Sequence, residues 1–191
     1  MDNDSGFSFQ EFVIPTRSTT LRGWHNDAWR AVHGKDAIRD GRDFQYHFER
    51  SAGKLVIRIG DCPIKKNAAR YTLPQAECRF LVRVHAVKRF SGQRERPVST
   101  EEMPDWITQR MSGFAIRPGI TVSPLEWYPM TWGEGALATT LVTGMLSVTD
   151  AEQALEVMTK GIGRARGFGF GMVMLLPLNQ SDASAGNFLV A

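Results

Sequence analysis

Two periods alternate along this chain and divide it into strands and helices. Phe7-Ser8-Phe9-Gln10-Glu11-Phe12-Val13-Ile14 reads as a first strand, stopped by Pro15. Ser18-Thr19-Thr20 is a helix-capping cluster, after which Leu21, Trp24, Ala28, Ala31 and Val32 recur at helical spacing as far as Gly34. His25, Trp29 and Val32 lie on the adjoining stripe. Phe44, Tyr46 and Phe48 then alternate with polar residues. Beyond the turn Ser51-Ala52-Gly53, Leu55, Ile57 and Ile59 do the same, which predicts an antiparallel hairpin. A short basic helix is expected over 64–70. The longest alternation covers 77–88, with Cys78, Phe80, Val82, Val84 and Ala86 on one face and Arg79, Leu81, Arg83, His85 and Val87 on the other. Residues 89–99 read as a polar, basic loop. Thr100-Glu101-Glu102 opens a helix to about Met111, 117–135 gives no clear element, and 137–148 is strand-like. Thr149-Asp150-Ala151-Glu152 is a capping box, and the helix after it sets Ala151, Ala154, Leu155, Met158 and Ile162 on one face. An apolar strand over 170–176 closes the pattern.

This order is a βαββαβ unit met twice, the first copy degraded. It predicts an α+β fold of two tandem ferredoxin-like (RRM-like) domains, the first reduced. The expected division is 1–75 and 76–178, with 179–191 a loose tail. Such a plan hosts many activities and does not by itself settle function.

Composition narrows the setting. Of 191 residues, 42% are apolar, enough for a real core, and no apolar run is long enough to span a membrane. The first five residues are polar and acidic and do not read as a signal peptide, so a cytoplasmic protein is expected. Cys62 and Cys78 stand apart, and with four scattered histidines they make no metal-ligand spacing, so no cofactor is expected and both thiols are read as buried. Net charge is only +3 but is segregated. Residues 54–96 hold eleven Lys/Arg against three acids, whereas 97–158 hold two against eight. A basic face beside an acidic one suits a polyanion binder with a second, protein-facing surface; an ordinary solvated face has the same charge count.

The candidate chemistry centres on Lys160-Gly161-Ile162-Gly163-Arg164-Ala165-Arg166-Gly167-Phe168-Gly169-Phe170-Gly171. Five of the chain's 18 glycines fall in its last eleven residues. It follows a helix and leads into a strand, the reverse of a dinucleotide fingerprint, and it lacks the Gly-Lys-Ser/Thr ending of a phosphate-binding P-loop. Taken alone, the cluster is a tight turn with close strand packing. Its arginines and consecutive backbone N–H groups also suit a phosphate.

The glycine stretch resembles the signature of the CRISPR repeat-processing endoribonucleases, and is most similar to the CasE family of Cascade-type complexes. His25-Asn26-Asp27-Ala28-Trp29 looks like that family's His-x-x-x-Trp on the first helix. Arg42-Asp43-Phe44-Gln45-Tyr46-His47-Phe48-Glu49 is similar to its second strand, and Arg79-Phe80-Leu81-Val82-Arg83 to the strand opening its second domain. The resemblance implies metal-independent cutting of CRISPR precursor RNA at the base of the repeat hairpin, leaving 2′,3′-cyclic phosphate and 5′-OH ends. It also implies that the protein stays on the mature guide RNA beside other subunits of a Cascade-like effector complex. His25 is then the catalytic candidate, since imidazole moves protons near neutrality. Family members often carry a tyrosine three residues earlier; here that position is Arg22, which cannot act as a base at neutral pH but can hold a phosphate. Arg164 and Arg166 are assigned to RNA phosphate, with Lys160, Gly161, Gly163, Gly167, Arg79 and Arg83 on the same RNA-facing surface. Lys65, Lys66, Arg70, Lys88, Arg89, Arg94 and Arg96 form a wider basic pool. His47 is read as structural, and Trp29, Phe168 and Phe170 as core residues. A guide-RNA-binding subunit that does not cleave, and a domain used only for protein contacts, remain open alternatives.

Overall fold

The computed structural model describes residues 8–34, 43–49, 51–60, 68–89, 95–131 and 133–178. Along the chain the elements are β1 (Ser8–Pro15), α1 (Leu21–His33), β2 (Phe44–Glu49), β3 (Lys54–Ile59), β4 (Ala69–Thr72) and β5 (Cys78–Val84). There follow β6 (Val87–Arg89), β7 (Glu95–Pro97), α2 (Met103–Thr108), β8 (Phe114–Ile116), β9 (Thr121–Val122) and β10 (Glu126–Pro129). The chain continues through β11 (Ala136–Val148), α3 (Ala151–Lys160), a 3₁₀ turn (Arg166–Phe168) and β12 (Met174–Pro177). One antiparallel sheet runs β2-β3-β1-β4, and a second runs β10-β11-β5-β12 with β8 and β9 also on β11. In each, the opening strand lies between the third and fourth, the order of a ferredoxin-like sheet. The expected α+β, twice-repeated ferredoxin-like fold is the fold observed. Among the described residues no helix is long and apolar enough to cross a membrane.

Helix α1 forms where its caps place it. Thr20 Oγ1 accepts from Gly23 N at 3.2 Å, and Gly34 N donates back to Arg30 O at 2.9 Å. Its apolar face, Leu21, Trp24 and Ala28, packs on the inner face of β2 and β3, and Trp24 stacks on Phe48 with centroids 4.1 Å apart. Asp27 accepts from Thr16 and Ser18 at 2.6 and 2.7 Å, tying the helix to the loop that precedes it. The second core gathers Phe80, Val82, Val84, Met103, Trp106, Ile107, Leu146 and Met158 between α2, α3 and their sheet. Cys78 belongs to it, and burial pushes its thiol up to about 11; Cys62 lies outside the described residues.

Several local expectations are corrected. The short helix expected over 64–70 begins on residues outside the described set, and its far end is strand, pairing with β1. Residues 89–99 are not simply loop, because β6 and β7 form a hairpin. No apolar period marks that hairpin, which is fastened by charge. Glu102, at the start of α2, accepts from Lys88 at 2.9 Å and from Arg96 at 2.7 and 2.9 Å. The irregular 117–135 contains β9 and β10, both too short to show alternation. The cap of α3 is Asp150 rather than Thr149, accepting from Gln153 N at 3.0 Å. The closing strand begins only at Met174, because 169–173 complete the return of the glycine loop.

On the outer face of the first hairpin, Gln45, His47 and Arg58 alternate with apolar residues. This polar face is buried, with exposures of 4%, 5% and 2%. The second unit packs on it, and Gln45 and Arg58 meet a carbonyl in the last turn of α3. Gln45 Nε2 donates to Met158 O at 2.9 Å; Arg58 donates to Met158 O at 3.1 Å and to Val173 O at 2.8 Å. Glu11 balances the guanidinium at 2.5 Å.

His47 lies in the same interface. Burial, with Arg83 as a lesser cause, lowers its imidazole from 6.5 to about 4. The folded value is below the unfolded one, so the unfolded chain binds the extra proton. This contribution is full above pH 6.5 and is lost as pH falls toward 4, to a limit of roughly 3 kcal/mol. The thermal midpoint should therefore drop across that window, and a His47→Gln variant should show a flatter pH dependence by calorimetry.

Candidate active site

The glycine stretch is a closed loop. Ile162 N donates to Gly171 O at 2.9 Å, so its two ends meet, and Gly171 N donates to Arg83 O at 2.7 Å. Gly171 has φ +81°, and a Cβ there would stand 1.9 Å from Ile162 O, so no other residue closes the loop this way. From the end of α3 the chain passes over the edge of β2 and seats Phe170 in the core beneath α1. A Cβ at Gly169 would stand 2.6 Å from the Tyr46 ring and 3.0 Å from that of Phe48.

That path delivers the loop to α1. His25 Nδ1 is 2.8 Å from Gly167 O. A carbonyl oxygen only accepts, so Nδ1 carries the hydrogen and the neutral ring has its lone pair on Nε2. The same carbonyl accepts from the Tyr46 hydroxyl at 3.3 Å. Trp29 and Phe168 flank the imidazole, their centroids 6.2 and 6.3 Å from it. His25 is half-buried, so one side of it reaches solvent. A protic group with a fixed tautomer thus meets the backbone of the glycine loop.

The other expected site residues are placed unevenly. Arg22, one turn before His25, is exposed and paired with Glu134 at 3.3 Å. Arg166 is exposed beside Gly167, and its guanidinium donates to Lys160 O at 3.0 Å and Gly161 O at 3.4 Å, completing the end of α3. Arg164 pairs with Glu95. Lys160 pairs with Glu156 along its own helix at 2.6 Å. Gly161 and Gly163 are packing positions, since side chains there would meet Gln45 and Trp106. Arg79 is exposed at the other end of β5. Arg83, expected to face RNA, is instead only 13% exposed, bound to Glu126 at 2.8 Å and set over the Tyr128 ring. Lys65, Lys66 and Arg94 lie outside the described residues, as does the side chain of Arg70. Tyr46 was legible only as an inward-facing aromatic; nothing in its spacing marks a hydroxyl aimed at the loop.

A model of the family described as CRISPR associated protein matches residues 31–177. The chain belongs to this CRISPR-associated family. No curated protein matches it. Among solved structures, Thermus thermophilus Cse3 bound to an RNA representing a pre-cleavage complex is 17% identical to this CRISPR-associated protein. It covers 90% of this chain and 98% of its own, with a TM-score of 0.67. Cas6e from Escherichia coli str. K-12 is also 17% identical, with TM-score 0.63 over 90% of this chain and all of its own. A chain of a CRISPR RNA-guided surveillance complex is 14% identical, with TM-score 0.59 over the same shares. At these identities the CRISPR-associated protein shares their fold.

Proposed function

We propose that this protein is a metal-independent endoribonuclease that cuts CRISPR precursor RNA at the base of the repeat hairpin and stays on the mature guide RNA in an effector complex. The observation that carries it is the hydrogen bond from His25 to Gly167 O, which joins the first helix to the loop bearing Arg164 and Arg166. The family and the RNA-bound Cse3 relative support the substrate, and the surveillance-complex relative supports the assembly. The working division is 1–75, carrying His25, and 76–178, carrying the loop.

In this reading His25 Nε2 takes the proton of a ribose 2′-OH. The 2′-oxygen forms a bond to the adjacent phosphorus, the bond to the 5′-oxygen breaks, and that oxygen gains a proton from solvent. The products are a 2′,3′-cyclic phosphate and a 5′-OH. Arg22 and Arg166 neutralise charge on the phosphate. Both hold exposed, weak protein partners that a phosphate can replace. Incubation with repeat RNA in EDTA tests the reading: a cyclic-phosphate end supports it, and RNA bound but intact supports a non-cleaving guide-RNA subunit instead. One observation favours that second reading, namely Arg22 in the place of the family's tyrosine. If Arg22 serves the reaction, Arg22→Ala lowers the cleavage rate far more than RNA affinity.

Tyr46 is a positioning residue here, since it steadies the carbonyl that orients His25. Tyr46→Phe removes one hydrogen bond, and a single-turnover rate about 2- to 10-fold lower is expected with RNA affinity unchanged. Without the hydroxyl, Gly167 O accepts more strongly from an imidazolium, so the acidic limb of the pH–rate profile should move upward. A variant that is only less stable leaves that limb in place.

A further inference from the structure

We propose that the open cavity between β6, α2 and the glycine loop is a second phosphate site for the RNA, apart from His25, and that Glu95, paired with two of its arginines, is a stand-in for the phosphate. The inference rests on the RNA reading above. The cavity has a volume of about 600 Å³ and takes cations from three separate elements: Arg89 from β6, Arg110 from the end of α2 and Arg164 from the loop. Glu95, on β7, reaches two of them. Its Oε1 accepts from Arg164 and lies 3.6 Å from Arg89. One carboxylate between two guanidiniums is the arrangement that a phosphate group takes with a pair of arginines.

A further feature marks the place as built for an acceptor. Arg110 stands over the Trp106 ring, 4.2 Å from its centroid, and both side chains line the cavity wall. The Glu95 pairs are exposed, so an incoming phosphate displaces the carboxylate at small cost. An RNA that sets phosphates against both Arg89 and Arg164 displaces Glu95; a weakly seated one does not. Glu95 therefore sharpens discrimination between a docked stem-loop and stray polyanions.

The test measures binding of a fluorescein-labelled RNA stem-loop with single-stranded flanks, by anisotropy over a potassium chloride series. Glu95→Gln is expected to bind about fivefold more tightly at low salt. Its plot of log affinity against log salt should be steeper by about one unit, since no carboxylate is left to take up a cation when RNA docks. Glu152→Gln, which removes the same charge from the exposed start of α3, is expected to change neither. The gain should vanish in Glu95→Gln/Arg164→Ala. Equal or weaker binding by Glu95→Gln overturns the proposal, and so does the same gain from Glu152→Gln or a gain that survives loss of Arg164. Failure of the unaltered protein to bind the stem-loop overturns the RNA reading itself.

Discussion

Replacing His25 with alanine is expected to slow cleavage of repeat RNA by about 10²- to 10⁴-fold, with RNA affinity within about twofold of the unaltered protein. The side chain is half-buried on α1 and hydrogen-bonds a backbone carbonyl. Its loss therefore removes a proton-transfer group and little packing. Single-turnover assays with gel quantitation separate the two quantities. High concentrations of free imidazole should restore part of the rate in His25→Ala, because the missing group is small and its place opens to solvent. A variant that binds RNA and cuts it at the normal rate would remove His25 from the chemistry and leave the loop as an RNA-binding feature alone.

The second large effect concerns stability. Arg58→Met is expected to cost about 3–5 kcal/mol. The guanidinium is 2% exposed, bound to Glu11 at 2.5 Å, set 4.3 Å over the Phe9 ring, and shared between the carbonyls of Met158 and Val173. Burial pulls its pKa below the usual range and Glu11 opposes that pull, so the pair holds its charge as a unit. Removing the arginine leaves a half-buried carboxylate and two carbonyls without it. Urea unfolding should show a lower midpoint with an unchanged slope. A second change, Glu11→Leu in the same variant, should recover part of the loss, because the uncompensated charge goes with it. If Arg58→Met alone is neutral, the interface is held by its apolar contacts.

Why one of these residues was visible beforehand and the other was not is a matter of range. His25 stands on a helix whose caps, Thr20 and Gly34, and apolar stripe are all local, and local periodicity is what a single chain displays. The glycine loop was visible as a connection for the same reason. Arg58, Gln45 and His47 follow a period of two like any half-exposed strand, and alternation cannot say whether the polar face meets water or another unit. Here it meets the end of α3, roughly a hundred residues away in sequence. The hairpin of β6 and β7 escaped because ion pairs to Glu102 hold it. Arg83 was misplaced because an arginine on a strand looks like a surface charge until its partner Glu126 is known.

The hydrogen bond between His25 and Gly167 spans 142 positions of the chain. A ribosome emits the imidazole early and the carbonyl that orients it late. If that contact sets the active tautomer, a growing chain is inert toward the messenger it is being read from. Competence would then arrive all at once, when the last glycines fold back over the edge of β2.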